Sequence, residues 1–234
     1  MEKKFEKIAT PLSVVLGAIF IAGAIYWGGA KAPAVPNGAG APDEKAIQQA
    51  LENVAPVTAE DHVRGNPNAE VTIIEYADTE CPFCKQFHET MKRVVDTNQN
   101  VAWVYRHFPL DQLHAKARSE AVALECANEV GGNDAFWKYA DRLYEVTPSN
   151  DGLEATELPK IAAYVGLDTQ AFASCQQSGR YDAHIEAEAQ NAIATGGQGT
   201  PWSVVVTKDG KKYPLSGGQP YEAVQQLIET ALKN

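Results

Sequence analysis

Hydrophobic residues along this chain recur with three different rhythms. From Ile8 to Ala30 they form one run without a charge, centred on Val14-Val15-Leu16-Gly17-Ala18-Ile19-Phe20-Ile21. Val71 to Tyr76 and Val101 to Phe108 are short stretches rich in β-branched and aromatic residues, the second ended by Pro109, and each predicts a buried strand. After Cys81 the apolar positions Phe87, Met91, Val94 and Val95 fall at helical spacing. From Gln112 to about Thr195 the helical rhythm dominates, through Ala121 and Leu124, then Phe136, Trp137, Ala140, Leu143 and Tyr144, then Leu158–Val165 and Phe172–Gln176. Trp202–Thr207 and Lys212–Leu215 flank Lys208-Asp209-Gly210-Lys211 and predict a hairpin with a two-residue Asp-Gly turn. Tyr221–Leu232 closes the chain as an amphipathic helix. The order is strand, helix, strand, helical block, hairpin, helix. That is an α/β domain whose helical insertion, residues 112–195, lies between its second and third core strands. A helix joins the first two strands, so they can pair in parallel.

The N-terminal run changes the picture of where this domain works. About 20 apolar residues suffice to cross a bilayer, and three lysines stand before this run while Tyr26 and Trp27 stand at its far end. Lysines on the cytoplasmic side would place everything after Ala30 outside the cytoplasm. The length of the run favours a transmembrane anchor over a cleaved signal peptide, although Ala30-Lys31-Ala32 resembles a cleavage site. Residues 1–30 are therefore expected to be a cytoplasmic stub and single-pass anchor. Residues 31–62 form a linker that starts with three prolines and two glycines before Asp43 and includes a possible short helix, Asp43–Val54, capped by Asp43. The domain proper occupies 63–234, beginning near the turn cluster Gly65–Asn68. A formal net charge of −10 and the lack of a Lys/Arg cluster argue against a nucleic-acid partner.

Candidate chemistry is concentrated in Cys81-Pro82-Phe83-Cys84, placed where a strand ends and a helix starts. Sulfurs three residues apart on a first helical turn can close a small disulfide. The leading sulfur also lies near unpaired N–H groups and the positive end of the helix dipole, which favours its thiolate. Cys81 is thus the expected attacking thiolate and Cys84 the resolving thiol. Pro82 suits the first helical position. A structural zinc site would need a second ligand pair that the sequence lacks, and haem attachment needs His where Lys85 stands. No metal or cofactor is expected, since His62, His107, His114 and His184 share no ligand spacing. Glu75 interrupts an apolar strand, where an unpaired carboxylate is costly. It could shuttle the Cys84 proton or pair with Arg106 on the neighbouring strand. Glu80 reads as a solvated side chain, and Trp202 as core or as a neighbour of the redox site.

The segment Glu75-Tyr76-Ala77-Asp78-Thr79-Glu80-Cys81-Pro82-Phe83-Cys84 resembles the active site of DsbA-like thiol–disulfide oxidoreductases. The resemblance extends over roughly Val63 to Asn234, including the helical insertion, Gly199-Thr200-Pro201, the hairpin and the last helix. It implies a thioredoxin-like fold with Cys81 as nucleophile, Pro201 as a cis-proline facing the disulfide, and Thr200 pairing with extended substrate through its backbone. Glu75 matches that family's buried acid. Cys126 and Cys175 resemble a pair found in a subset of the family, read as a structural disulfide. Its loop of about 50 residues would be worth roughly 4 kcal/mol in the entropic model.

The expected function is an oxidase that introduces disulfides into reduced exported proteins and is itself reoxidised by a DsbB- or VKOR-like membrane partner. Two alternatives share the motif. One is a reductase or isomerase of the same fold, although 31–62 is too short for a dimerisation domain and a monomer is expected. The other is a tethered copper metallochaperone using the same two cysteines, with His88 as an optional third ligand, for which thiolates would suit Cu(I).

Overall fold

A computed structural model of the chain describes residues 44–233. The uncharged run Ile8–Ala30, and with it the expected anchor and most of the proline-rich linker, lies outside the described residues. Among the described residues, no helix is long and apolar enough to cross a membrane.

Five strands form one sheet in the order β1-β3-β2-β4-β5. They are β1 (His62–Gly65), β2 (Val71–Ala77), β3 (Val101–His107), β4 (Trp202–Thr207) and β5 (Lys212–Ser216). β2 and β3 pair in parallel, Val71 opposite Val101 through Ala77 opposite His107. This is the pairing that the intervening helix predicts. All other pairs are antiparallel. Eight helices accompany the strands among the described residues: α1 (Glu44–Leu51), α2 (Pro82–Thr97), α3 (Ala117–Gly131), α4 (Asn133–Val146), α5 (Glu157–Tyr164), α6 (Thr169–Gln176), α7 (Asp182–Ala194) and α8 (Tyr221–Lys233). The insertion between β3 and β4 is thus five helices, starting at Ala117 rather than Gln112.

Strand alternation sorts the core into two layers. Val71, Ile73, Val101, Trp103, Tyr105 and Val205 face one side, packed with Phe87 and Met91 of α2, Val224 and Ile228 of α8, and the insertion helices α3–α6. Ile74, Tyr76, Val104, Trp202 and Val204 face the other, against Leu51 of α1 and Ala189 and Ala192 of α7. The same parity decides the fate of Glu75. It falls on the α2 side with Tyr105 opposite, whereas Arg106 falls on the α7 side with Tyr76 opposite. The expected Glu75–Arg106 pair therefore does not form. Arg106 Nε instead donates to Asp61 Oδ1 at 2.8 Å, and its terminal nitrogens donate to the carbonyls of Ala55 and Pro56.

Three boundaries differ from the sequence reading. α1 and the segment after it are packed parts of the fold rather than linker, because Leu51 is fully buried against the sheet and Asp61 is held by Arg106. β1, too short and polar to stand out in the sequence, adds an antiparallel edge to β3. It ends at Gly65, whose φ of +94° and approach to the Val101 carbonyl exclude a side chain. The hairpin loop has three residues rather than two. Gly210 N donates to Thr207 O, and Thr207 N donates to Lys211 O, with Gly210 in the left-handed region at φ +88°.

Candidate active site

β2 ends at Ala77, and the chain turns through Asp78-Thr79-Glu80 into α2, so that the strand end delivers Cys81 to the helix start. Cys81 is the residue preceding the first helical turn, with extended backbone, and Pro82 occupies the first helical position. Apolar spacing then fixes the helix, with Cys84, Phe87, Met91 and Val94 buried on one face. No acidic side chain occupies the first turn, leaving its N–H groups to the sulfur. Cys84 is completely buried and Cys81 nearly so, while Phe83 between them is 60% exposed.

The two sulfurs are electrostatically unequal. Cys81 is lowered to about 6, chiefly by a hydrogen bond from the Cys84 thiol, with smaller help from Thr200 and the N–H groups of Cys84 and Phe83, all against burial. Burial first, and then the Cys81 sulfur, push Cys84 well above the ordinary thiol range. Glu75 lies on the same face, completely buried, and its Oε2 accepts from Trp103 Nε1 at 2.8 Å. Burial raises it to about 8, so it holds its proton at neutral pH.

The opposite wall is the Thr200–Pro201 junction before β4. The peptide bond is cis, and the Cys81 sulfur lies 3.4 Å from the Thr200 carbonyl oxygen. Trp202 turns away into the α7-side core, its Nε1 donating to Thr195 Oγ1 at 2.9 Å.

Several site neighbours were not legible in the sequence. Asp78 is buried, accepts from the N–H groups of Glu80 and Leu110 and is paired with His114 Nδ1 at 2.9 Å, while its own N–H reaches the Cys84 sulfur at 3.5 Å. Glu80 is completely buried rather than solvated. The loop after α4 covers it, with Asn150 N donating to the Glu80 carbonyl at 2.8 Å, and Ser149, Asn150 and Asp151 all adopting positive φ. Burial, and next the neighbouring Glu80 carboxyl, push Glu120 above the ordinary carboxylate range. Acids beside a motif cannot be sorted into solvated and buried until the insertion that covers them is placed.

His88 does not join the cysteines. Its ring is buried among Trp103, Tyr144 and Trp137, and its Nε2 is paired with Asp141 Oδ1 at 2.7 Å. Among the described residues, Cys81, Cys84 and His88 do not form a converging ligand set, so His88 is not placed to act as a third ligand beside the two cysteines. Cys126 of α3 and Cys175 of α6 are joined by a disulfide with Cα atoms 5.7 Å apart, buried in the insertion.

A profile of the thioredoxin family, described as "Thioredoxin", matches residues 57–230. The fold is shared with DsbA2 of Pseudomonas aeruginosa, 30% identical, with a TM-score of 0.65 over 77% of this chain and 98% of that one. The chain belongs to the thioredoxin family and is a DsbA-like thiol–disulfide oxidoreductase. A thioredoxin-like oxidoreductase from Silicibacter pomeroyi is 26% identical, with a TM-score of 0.64 over 80% of this chain and 98% of that one. Among curated relatives, a Na(+)/H(+) antiporter NhaA 3 of Salinispora tropica is 35% identical over 60% of this chain. The matched region is only 21% of that antiporter.

Proposed function

We propose that this DsbA-like oxidoreductase works outside the cytoplasm as an oxidase, passing the Cys81–Cys84 disulfide to reduced exported proteins. The observation that carries the direction is the lowering of Cys81 to about 6. A stabilised thiolate stabilises the reduced enzyme, and an enzyme stable when reduced is a strong oxidant. In the forward reaction a substrate thiolate attacks Cys81 Sγ, and the Cys81–Cys84 bond breaks. Cys84 leaves and takes up a proton, for which the protonated Glu75 carboxyl is the donor. A second substrate thiolate then attacks the substrate sulfur of the mixed disulfide, and Cys81 departs as a thiolate, a good leaving group at neutral pH. The substrate loses two electrons and gains a disulfide, and the enzyme becomes a dithiol. Thr200 supplies backbone hydrogen-bonding groups to extended substrate beside the sulfur, and exposed Phe83 gives an apolar contact.

The export assignment is supported by the uncharged run Ile8–Ala30 behind three lysines and by the Cys126–Cys175 disulfide, a bond that persists in oxidising compartments. On this reading Cys126–Cys175 is structural. Residues 8–30 tether the domain to the membrane, and a DsbB- or VKOR-like membrane partner restores the active-site disulfide.

The deciding experiment is the equilibrium potential of Cys81–Cys84 against glutathione. The oxidase reading expects a value nearer to about −120 mV than to the roughly −270 mV of a reductant such as thioredoxin. A value at the reducing end overturns it and leaves the reductase.

A further inference from the structure

On the far side of β3 from its pairing with β2, the fold assembles a cluster that no motif announces. His62 Nε2 of β1 and His107 Nε2 at the end of β3 each lie 2.8 Å from the same carboxylate oxygen, Oε1 of Glu125 on α3. His184 Nε2 of α7 approaches that oxygen to 3.7 Å and also lies 3.4 Å from Glu188 Oε1 one turn further on. His62, His107 and Glu125 are buried, and their ligand atoms all fall within 4.8 Å of one another. The spacing of the histidines gives no hint of this, because the residues come from four separate elements.

We propose that His62, His107, Glu125 and His184 bind one zinc-type transition-metal dication. Three imidazoles and a carboxylate are a donor set that zinc accepts, in tetrahedral geometry at about 2.0–2.2 Å from each ligand. Ligand atoms in such a site stand roughly 3.3 Å apart, so the two 2.8 Å contacts need to open by about half an ångström, while the His184 ring, outside the set whose ligand atoms all fall within 4.8 Å of one another, has to swing inward from the rim to complete the site. The rings are held in place for this. His62 stacks on Phe136 with ring centroids 3.6 Å apart, and His107 meets Tyr105 edge-on. A second carboxyl, Glu188, lies beside the cluster, its Oε2 accepting from the His107 N–H at 2.7 Å and its Oε1 standing 3.4 Å from His184 Nε2. Entry is open on one side, because the His184 side chain is one-third exposed at the rim of a surface cleft that Glu60, Asp61 and Glu188 also line. The ion would clamp β1 and β3 to α3 and α7, joining the sheet edge to the insertion. It takes no part in thiol exchange, so the inference stands independently of the oxidase reading.

Two neutral imidazoles donating to one carboxylate oxygen would give similar distances without an ion, and metal analysis separates the two. The full chain, oxidised so that Cys81 and Cys84 cannot bind metal, is incubated with zinc, dialysed and analysed for metal by mass spectrometry. The expected result is one chelator-removable zinc per chain, with cobalt substitution giving tetrahedral visible absorption lacking a thiolate band. His184→Ala should weaken zinc binding by at least about 10-fold and leave thiol exchange unchanged, and Glu125→Gln should abolish binding. Wild-type protein that retains no zinc overturns the proposal. So does zinc held equally by wild type and His184→Ala, a partly exposed position whose variant keeps the assay meaningful should Glu125→Gln fail to fold.

Discussion

Cys81 and Cys84 stand three residues apart at the start of one helix, whereas Cys126 and Cys175 stand 49 residues apart on two helices of the insertion. The first pair is present as thiols and the second as a disulfide. Both are buried, so exposure does not separate them. What does is electrostatic asymmetry. Cys81 has N–H groups, the Cys84 thiol and Thr200 converging on it, whereas Cys84 is fully buried between the Cys81 sulfur and Glu75 with one long contact from the Asp78 N–H. A cysteine pair becomes reactive when its surroundings stabilise one thiolate and oppose the other. It becomes a staple when it closes a long loop between packed helices.

The strongest way to break this comparison is to remove one member of each pair. Cys81→Ser should lower oxidation of a reduced, unfolded protein by at least about 10³-fold, since the remaining thiol, Cys84, is fully buried and held above the ordinary thiol range and has no partner for a disulfide. Retained turnover would show that the wrong pair had been assigned. The double change Cys126→Ser/Cys175→Ser should leave most of that turnover intact. It should cost about 4 kcal/mol of stability, or roughly 10 °C in melting temperature. Loss of turnover in a folded double variant would make the second pair part of the redox chemistry.

A smaller effect is expected at Glu75. Glu75→Gln should slow turnover by about 10²-fold through the step in which Cys84 takes a proton, while the alkylation rate of Cys81 in the reduced enzyme stays nearly unchanged. An equal loss in both measurements would mean that the carboxyl serves only to hold the strand. Its neighbour sharpens the point. Trp103→Phe deletes the hydrogen bond that lowers Glu75, so the pH–rate limb assigned to Glu75 should move above about 8.

The smallest effect concerns pH. The Cys81 thiol of the reduced enzyme should titrate near pH 6, visible as thiolate absorbance, with no second step from Cys84 in the neutral range. Because the folded value lies below the unfolded one, the thiolate's stabilisation of the reduced form is complete only near the ordinary thiol pKa of about 9 and is lost as pH falls through about 6. The stability of reduced relative to oxidised protein, measured by urea unfolding from pH 8.5 down to pH 5.5, should therefore decline. A pH-independent difference would deny the lowered thiol.

The sequence by itself determined the redox motif, its place between a strand and a helix, the parallel core pair and the helical insertion. Each is local, carried by residue spacing or by the period of apolar positions along a few turns or one strand. Tertiary structure alone decided what lies across the gaps. Strand parity sent Glu75 to Trp103 and Arg106 to Asp61, although the sequence left Glu75–Arg106 open. The loop after α4 buried Glu80, which reads as solvated when only its neighbours are known. Four elements distant in sequence brought His62, His107 and His184 to Glu125. Spacing along the chain cannot reveal such contacts, because they depend on which faces the packed elements turn toward one another.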